Sequence, residues 1–428
     1  MAESASSTTE QPAPPPSSWT QRIFAVSWLS YFSYYFTRKN FSVAKASFGK
    51  ELGFDKGDLK VIDQGYLIAY AVGQVGNGFL ADVVGPRRMV ALGMLMTAAL
   101  NLAFGLGDTL IGSVLGVYTL CWTLNGLAQS TGWPGNGKLM ASWFSTGRRG
   151  QVMGVWSTCY QAGGLAAGFF AAWLIGYGWR VSMIGPAAWV AVVGLAFWML
   201  IHDRPSDLGY ANPDVPAGLS REELRALRRK AWPLVLKNPM TWCLGLSYFC
   251  LKLMRYAFLF WLPYYLNTAL GYGDRTAGYM AQAFDGGGIP FVILAGWLAD
   301  RHFGRRRIAV AAGCLVLLAG ALYLYQRVGD ESAVANVLAL ALVGAFLFGA
   351  DSLVSGAAAQ DLGGPHAAAL ACGLINGIGS IGGVVQGDLV KAMEWHDLFR
   401  LFIGLSIFGA LVLVPFLRVR PTSHPTAA

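Results

Sequence analysis

The stretch GFLADVVGPRR at residues 78–88 returns in the second half of the chain as GWLADRHFGRRR at residues 296–307. Each copy carries an aspartate four positions after its first glycine and ends in adjacent arginines. An arginine also repeats at nearly the same distance before each copy. Arg38 precedes the aspartate of the first copy by 44 residues, and Arg255 precedes the aspartate of the second copy by 45. Two copies of one pattern predict a molecule built from two related halves.

Long apolar blocks fill both halves. The chain has 428 residues, of which 55% are hydrophobic and 13% are charged, and its mean hydropathy is +0.46. A soluble domain carries about 25% charged residues. Blocks of about 18 or more apolar residues are long enough to cross a bilayer, and their apolar runs are continuous rather than alternating, which is not the pattern of a membrane β-barrel. The sequence therefore predicts an all-α membrane protein.

The lengths of the apolar blocks predict roughly twelve spanning helices, six in each half. The predicted halves are residues 20–202 and residues 239–418. The predicted spans are 22–48, 60–81, 88–107, 111–142, 150–178, 181–201, 240–269, 276–299, 307–327, 333–361, 367–393 and 398–417.

Three polar segments border the two halves. Residues 1–19, rich in Ser, Thr and Pro, predict a disordered cytoplasmic tail rather than a signal peptide, and residues 419–428 predict a second cytoplasmic tail. The segment 203–238 is expected to be a cytoplasmic linker. Its stretch SREELRALRRK predicts a short amphipathic helix at the membrane surface, with Ser220 as N-cap and Glu223 completing a capping box.

The positive charge of the chain is concentrated in alternate loops. The net charge is +9, and the arginine clusters fall between spans 2 and 3, 4 and 5, 6 and 7, 8 and 9, and after span 12. These loops share one side, and excess Lys and Arg marks the cytoplasmic side. Both termini are therefore predicted to be cytoplasmic. The short loops, and the absence of a recognisable targeting or retrieval signal, predict a multi-pass protein of the prokaryotic inner membrane. In this interpretation the clusters determine the orientation in the membrane and do not bind nucleic acid. The expected partners are membrane lipid and small molecules. The protein is expected to be a monomer.

Residues with catalytic or metal-binding chemistry are scattered. The six cysteines form no CxxC pair and predict free thiols, and the five histidines, which fall in loops and tails, show no metal-binding spacing. The stretch GWPGNGK lacks the Ser or Thr and the preceding strand of a phosphate-binding loop. With no visible nucleophile and base, the sequence predicts no catalytic residue, no metal and no cofactor, and the protein is not expected to be an enzyme.

The first predicted span carries a cation near its middle. Arg38 lies about sixteen residues into the span, and a charge in the membrane is expensive, so it usually marks a substrate or ion path. Tyr31, Tyr35 and Arg38 follow the spacing i, i+4, i+7 and share one helical face. Lys39 is expected to point about 100° away from that face. The alternative is that Arg38 reaches the far interface by snorkelling.

The seventh predicted span repeats this feature. Arg255 lies about fifteen residues into the span, and Lys252, three positions earlier, is expected on the same face. A planar guanidinium donates two parallel hydrogen bonds to a phosphate or a carboxylate. Two arginines from related helices, facing one cavity, therefore predict an anion clamp between the halves.

Several segments resemble the organophosphate:phosphate antiporter family of the major facilitator superfamily. They are YYFTRKNFSVA (34–44), GFDKGDLK (53–60), GWPGNGK (132–138) and the GxLADxxGxRR motif, and the resemblance extends from about residue 20 to residue 418. It implies the major facilitator fold, twelve transmembrane helices in two six-helix halves with the substrate between them. It also implies that Arg38 and Arg255 bind phosphate. The further pocket positions implied by the resemblance are Tyr31, Tyr35, Tyr70 and Trp133, with Asp285 matching an acid of the eighth helix.

Three positions depart from the pattern of that family. Gln74 stands where a lysine is usual, and Tyr160 stands where the glycerol-3-phosphate branch has a histidine. Lys252 stands where a tyrosine is usual and can restore the lost cation. Phosphate monoesters carry nearly two charges at neutral pH, which suits a site with two or three cations. A carboxylate or a phosphonate substrate remains open.

The remaining charges suggest gating and coupling. The repeated motif is expected to tie neighbouring helices together on the cytoplasmic side and to release them during gating, through residues Asp82, Arg87, Arg88, Asp300 and Arg305. Asp285 and Asp351 either carry a proton or are neutralised by Lys252 or Arg255. Asp388 and Lys391, three residues apart, are expected to form an ion pair or a solvated pair near a helix end.

These features predict a secondary transporter that exchanges a sugar phosphate or glycerol phosphate for inorganic phosphate by alternating access. One alternative is a proton-coupled symporter of an organic carboxylate or phosphonate, which Gln74 and the membrane acids favour. A second alternative follows from the resemblance, since some relatives of the hexose-phosphate carriers sense their ligand and signal without much transport.

Overall fold

The computed structural model describes residues 13–110, 112, 114–144, 152, 155–156, 158–211, 233–303 and 306–419. The predicted amphipathic helix after Ser220 lies outside the described residues, as does Arg305. The side chains of Asp82 and Asp300 also lie outside the described part, so the gating role expected of these residues stays a prediction.

Helices form the framework, and we number the spans α1 to α12 in chain order. Two spans are interrupted by single turns, α1 at Tyr35 and α4 at Ser130–Thr131. The helices are α1 (Ser17–Tyr34 and Phe36–Leu52), α2 (Lys56–Val84), α3 (Pro86–Gly105), α4 (Leu115–Gln129 and Gly132–Trp143), α5 (Thr158–Leu174), α6 (Trp179–Leu200), α7 (Pro239–Thr268), α8 (Asp274–Arg301), α9 (Arg307–Val328), α10 (Ala333–Ser352), α11 (Ala359–Ala392) and α12 (Trp395–Leu413). Seven helices in the described residues are long and apolar enough to cross a membrane.

Local sequence signals set several helix ends. Gly53 ends α1 in the left-handed conformation, with φ of 75°, which costs glycine little. Asp55 and Asp58 then open α2 with a capping box. Asn238 accepts a hydrogen bond from the Met240 backbone at the start of α7. These caps satisfy backbone groups that would otherwise lack partners at the helix ends.

Two boundaries differ from the sequence prediction. The first helix begins at Ser17, directly after Pro16, and so includes the last three residues of the segment 1–19 that was expected to be disordered. The break predicted at residues 362–366 is not seen, since the backbone of α11 is helical from Ala359 onwards. A π-helical stretch, Leu353–Ala358, separates α10 from α11 instead.

Corresponding close helix crossings recur in the two halves. A methyl group on Gly126 of α4 would collide with the backbone of Tyr66 on α2, and one on Gly344 of α10 would collide with the backbone of Phe284 on α8. Small residues allow such close approach of membrane helices. The two crossings therefore hold α2 and α8, which supply cavity residues, in matching positions in their halves.

The halves meet at the end of the bundle where α1 ends and α2 begins. Lys60 of α2 forms an ion pair with Asp388 of α11, and Gln64 donates to the same carboxylate at 2.8 Å. Lys56 lies over the ring of Trp395 at 4.6 Å. We use the name α2–α11 closure for Lys56, Lys60 and Gln64 of α2, Asp388 of α11, and Trp395 at the start of α12. Aromatic and aliphatic residues from both halves form a single buried cluster close to it.

Candidate functional site

A cavity of about 730 Å³ lies between the two halves. Three helices of each half form its wall, as expected for a site at the interface between repeats. The wall consists of Tyr35, Arg38 and Lys39 of α1, Tyr66, Leu67 and Tyr70 of α2, Tyr160, Gln161 and Gly164 of α5, Arg255, Tyr256, Leu259 and Phe260 of α7, Phe284, Asp285, Gly288 and Ile289 of α8, and Phe348 of α10.

Arg38 is the residue of this wall that we expect to bind an anion most directly. Its guanidinium lies over the rings of Tyr35 and Tyr70, at 4.7 and 4.9 Å from their centroids. Its Nε donates to Gln129 Oε1 at 2.9 Å. Its Nη2 is buried and has no hydrogen-bond partner within the described part of the chain. A buried donor without a partner is costly, so an anion in the cavity would relieve a real deficit.

Gln129 fixes the direction of this guanidinium. The Gln129 amide nitrogen donates to the Thr37 carbonyl oxygen at 2.9 Å, which leaves the amide oxygen facing Arg38. The Tyr66 hydroxyl donates to the same amide oxygen at 2.9 Å. Sequence analysis missed Gln129, although a fully buried amide in an apolar helix is itself a signal of an interhelical contact.

We expect Gln129→Met to weaken phosphate binding about tenfold, or ~1.4 kcal/mol, because Arg38 loses its orienting acceptor while the side-chain volume changes little. Calorimetric titration of the purified protein with phosphate measures the change. The matched control is Gln326→Met, since Gln326 lies on α9 away from the cavity and contacts the His396 carbonyl. Equal phosphate affinities for the two variants would show that Gln129 does not position Arg38.

Arg255 faces the same cavity from the C-terminal half. Its Nη1 contacts both carboxylate oxygens of Asp351, at 3.2 and 3.4 Å, and its guanidinium lies 5.0 Å from the ring centroid of Phe348. The two arginines thus approach one cavity from opposite halves, which is the arrangement that an anion clamp requires.

Lys39 also lies in the cavity wall, although it is expected to point about 100° away from the face that carries Arg38. It forms an ion pair across the halves with Asp285 of α8, and it donates to Gln282 Oε1 at 3.3 Å. The cavity extends around more than one face of α1, and α1 is interrupted at Tyr35 just before the two cations. Behind the ion pair lies a smaller cavity of about 260 Å³, and Lys39 and Asp285 line both cavities.

Lys252 does not line the main cavity. Its Nζ donates to Asn376 Oδ1 at 2.6 Å and to Ser380 Oγ at 2.8 Å, both on α11. Lys252, which was expected to replace the cation missing at Gln74, is therefore directed toward α11 and not toward the cavity. Asp285 is neutralised by Lys39 and Asp351 by Arg255, rather than either acid by Lys252.

Three of the other predicted pocket residues line the cavity, and three do not. Tyr35, Tyr70 and Tyr160 lie in the wall. Tyr31 and Trp133 stand outside it, in edge contact with each other at 5.6 Å between ring centroids. Gln74 is half-buried on α2 and is not part of the wall. The roles implied for Tyr31, Trp133 and Gln74 remain predictions.

The predicted ion pair between Asp388 and Lys391 is replaced by the pair between Asp388 and Lys60. The spacing along α11 allowed a pair between Asp388 and Lys391. In the structure, Lys60 and Gln64 on α2 of the other half contact the Asp388 carboxylate instead. Asp388 is more than half exposed, so it belongs to the α2–α11 closure at the helix end and not to the cavity.

The first copy of the repeated motif joins α3 to the end of α6. The Arg87 backbone N–H donates to Asp203 Oδ1 at 2.6 Å, and the Nε of the Arg87 side chain donates to the Trp198 carbonyl oxygen at 2.7 Å. Arg88 is exposed. A contact between helix ends of one half agrees with a structural role, and its release during gating stays a prediction.

Comparison with known proteins places these features in a family. The chain is 29% identical to a probable hexose phosphate transport protein of Chlamydia trachomatis, covering 93% of this chain and 91% of that protein. It is 29% identical to the membrane sensor protein UhpC of Salmonella typhimurium (94% and 92%) and 28% identical to sugar phosphate exchanger 3 of Bos taurus (94% and 93%). These relatives confirm the resemblance to organophosphate antiporters.

The fold is confirmed independently. The solved structure of a D-xylose–proton symporter superposes with a TM-score of 0.74 at 12% identity, covering 95% of this chain and 99% of that one. The family model described as Major Facilitator Superfamily matches residues 27–387. Its members are transporters, in agreement with the prediction that the protein is not an enzyme. The chain belongs to the Major Facilitator Superfamily.

Proposed function

We propose that the protein exchanges a phosphorylated organic anion, of the sugar phosphate or glycerol phosphate class, for inorganic phosphate. The observation that carries this proposal is the pair Arg38 and Arg255, which face one cavity from opposite halves, with Arg38 Nη2 buried and unpaired. A phosphoryl group offers acceptor oxygens to both guanidinium groups at once. The names of the relatives, which include a hexose phosphate transport protein and a sugar phosphate exchanger, support the substrate class.

Alternating access follows from the same arrangement. The anion bridges the halves, so its binding and release are coupled to their relative movement. In this proposal the α2–α11 closure seals one side of the cavity in the state described. In this proposal the protein is a monomer in the prokaryotic inner membrane. The basic loops favour cytoplasmic termini.

Radiolabelled phosphate exchange in proteoliposomes preloaded with phosphate tests the proposal. Competition with sugar phosphates, glycerol phosphate, phosphonates and carboxylates then identifies the substrate class. We expect saturable exchange that phosphate esters inhibit best. Uptake that needs a pH gradient and no phosphate on the far side would instead establish the proton-coupled symporter.

The sensor is a second candidate, because a sensor protein is among the relatives at the same identity as the transport protein. Phosphate ester binding by folded protein without exchange would favour sensing. A cavity that is sealed by a movable closure suits both functions, so the exchange assay separates them.

A cross-link across the α2–α11 closure tests the alternation. We expect Lys60→Cys with Asp388→Cys, joined by a short reducible thiol cross-linker, to block exchange until the link is reduced, because the two side chains contact each other across the halves. Each single cysteine variant, treated in the same way, controls for the six native cysteines, which are free thiols. Undiminished exchange by fully linked protein would contradict the need for this end to open.

A further inference from the structure

Asp351 lies behind Arg255, outside the wall of the main cavity. It is almost fully buried on α10, and both of its carboxylate oxygens contact Arg255 Nη1, at 3.2 and 3.4 Å. Charge-assisted hydrogen bonds of this kind are usually shorter, at about 2.7–2.9 Å. A single nitrogen makes both contacts, so the two-armed geometry of a strong arginine–carboxylate pair is not reached. The pair is therefore one that a better-placed anion can displace.

The two arginines of the clamp differ in this respect. Arg38 has a neutral orienting partner, the amide oxygen of Gln129, and keeps its full charge for a ligand. Arg255 shares its charge with a carboxylate before any ligand arrives. The nearby Lys252 donates its hydrogen bonds to Asn376 and Ser380 and not to Asp351.

The backbone beside Asp351 has an uncommon geometry. The π-helical stretch Leu353–Ala358 begins two residues after it, and the Ser355 hydroxyl donates to the Asp351 carbonyl oxygen at 2.7 Å. Single π-helical turns within α-helices are frequent at functional sites. The carboxylate therefore lies next to a segment whose hydrogen-bond register differs from that of the rest of α10.

We propose that Asp351 sets the charge preference of the site by competing with the ligand for Arg255. The carboxylate behind Arg255 repels a doubly charged ligand about twice as strongly as a singly charged ligand of the same shape. The site then favours doubly charged anions over singly charged anions of the same shape less strongly than its two arginines alone would. This inference rests on the proposed function and adds a specificity-determining residue to it.

Two matched ligands test the proposal. Phenyl phosphate and phenyl sulfate are close in shape, and at a pH of about 8 the first carries nearly two negative charges, since its second pKa is about 6, whereas the second carries one. Their affinities are measured by displacement of radiolabelled phosphate from purified protein. We expect Asp351→Asn to raise the affinity for phenyl phosphate about tenfold relative to that for phenyl sulfate.

The control is Asp397→Asn, which removes an exposed acid of α12 that pairs with Arg400 and is expected to leave the ratio of the two affinities unchanged. Melting temperature and size-exclusion profile report whether each variant is folded, and Asp351→Ser provides a second removal of the charge. An unchanged ratio in folded Asp351 variants would overturn the role of Asp351 alone. Failure of the wild-type protein to bind phosphate or either ester would overturn the proposed function itself.

Discussion

Replacement of Arg38 or Arg255 by Lys is expected to lower phosphate exchange by about 100-fold, which corresponds to ~2.7 kcal/mol. Lysine keeps the positive charge but loses the planar fork that donates two parallel hydrogen bonds to a phosphoryl group. At Arg38 the change also removes the Nε contact to Gln129 and the stacking on Tyr35 and Tyr70. Initial rates of labelled phosphate exchange in proteoliposomes, normalised to protein content, measure the effect.

The matched control is Arg327→Lys, because Arg327 is exposed on α9 and contacts only Tyr323 in the described part of the chain. We expect its exchange rate to stay within about twofold of the wild-type rate. Rates near the wild-type value for both Arg38→Lys and Arg255→Lys would contradict the clamp. A loss at only one position would show that a single half recognises the phosphoryl group.

The placement of these two arginines was predictable from the sequence. Helical periodicity put Tyr35 and Arg38 on one face, and the repeat of motif and cation put Arg255 at the matching position of the second half. Both arginines lie in the cavity wall. The six-plus-six helical plan was predictable for a different reason, because apolar blocks long enough to cross a bilayer recur along both halves.

Periodicity alone could not predict that Lys39 lines the cavity and that Lys252 does not. A helical face identifies a cavity residue only when the cavity touches one face, and here the wall includes the adjacent residues Arg38 and Lys39. Lys252 shares the face of Arg255 along α7, but its long side chain reaches acceptors on α11. The position of a flexible lysine depends on partners that only the packed structure brings near.

Contacts between the halves were the hardest features to predict. Spacing along α11 favoured Lys391 as the partner of Asp388, yet Lys60 comes from a helix more than 300 residues earlier in the sequence. The pair of Lys39 with Asp285 also joins distant segments. Neither pair leaves a periodic signal, because each depends on how two separately folded halves dock.

The second large effect is expected at Lys45 and Asp63, which form an ion pair that is fully buried between α1 and α2. Lys45 also donates to the Phe260 carbonyl oxygen of α7 at 2.9 Å and lies 3.9 Å from the ring centroid of Trp261. Removal of one partner of a buried pair leaves an uncompensated charge and costs about 3–5 kcal/mol. We therefore expect Asp63→Asn to lower the melting temperature of the purified protein sharply.

The double variant Lys45→Met with Asp63→Val distinguishes a charge effect from a packing effect. Replacement of both charges by apolar groups of similar size is often neutral or stabilising, so its melting temperature is expected to lie near the wild-type value. The single variants should then be less stable than the double variant, an order that a simple loss of contacts would not give. A double variant as unstable as Asp63→Asn would show that the pair stabilises the protein through its specific contacts. The link from Lys45 to Phe260 of the opposite half would then be the contact to examine, since it is the one that the apolar pair cannot replace.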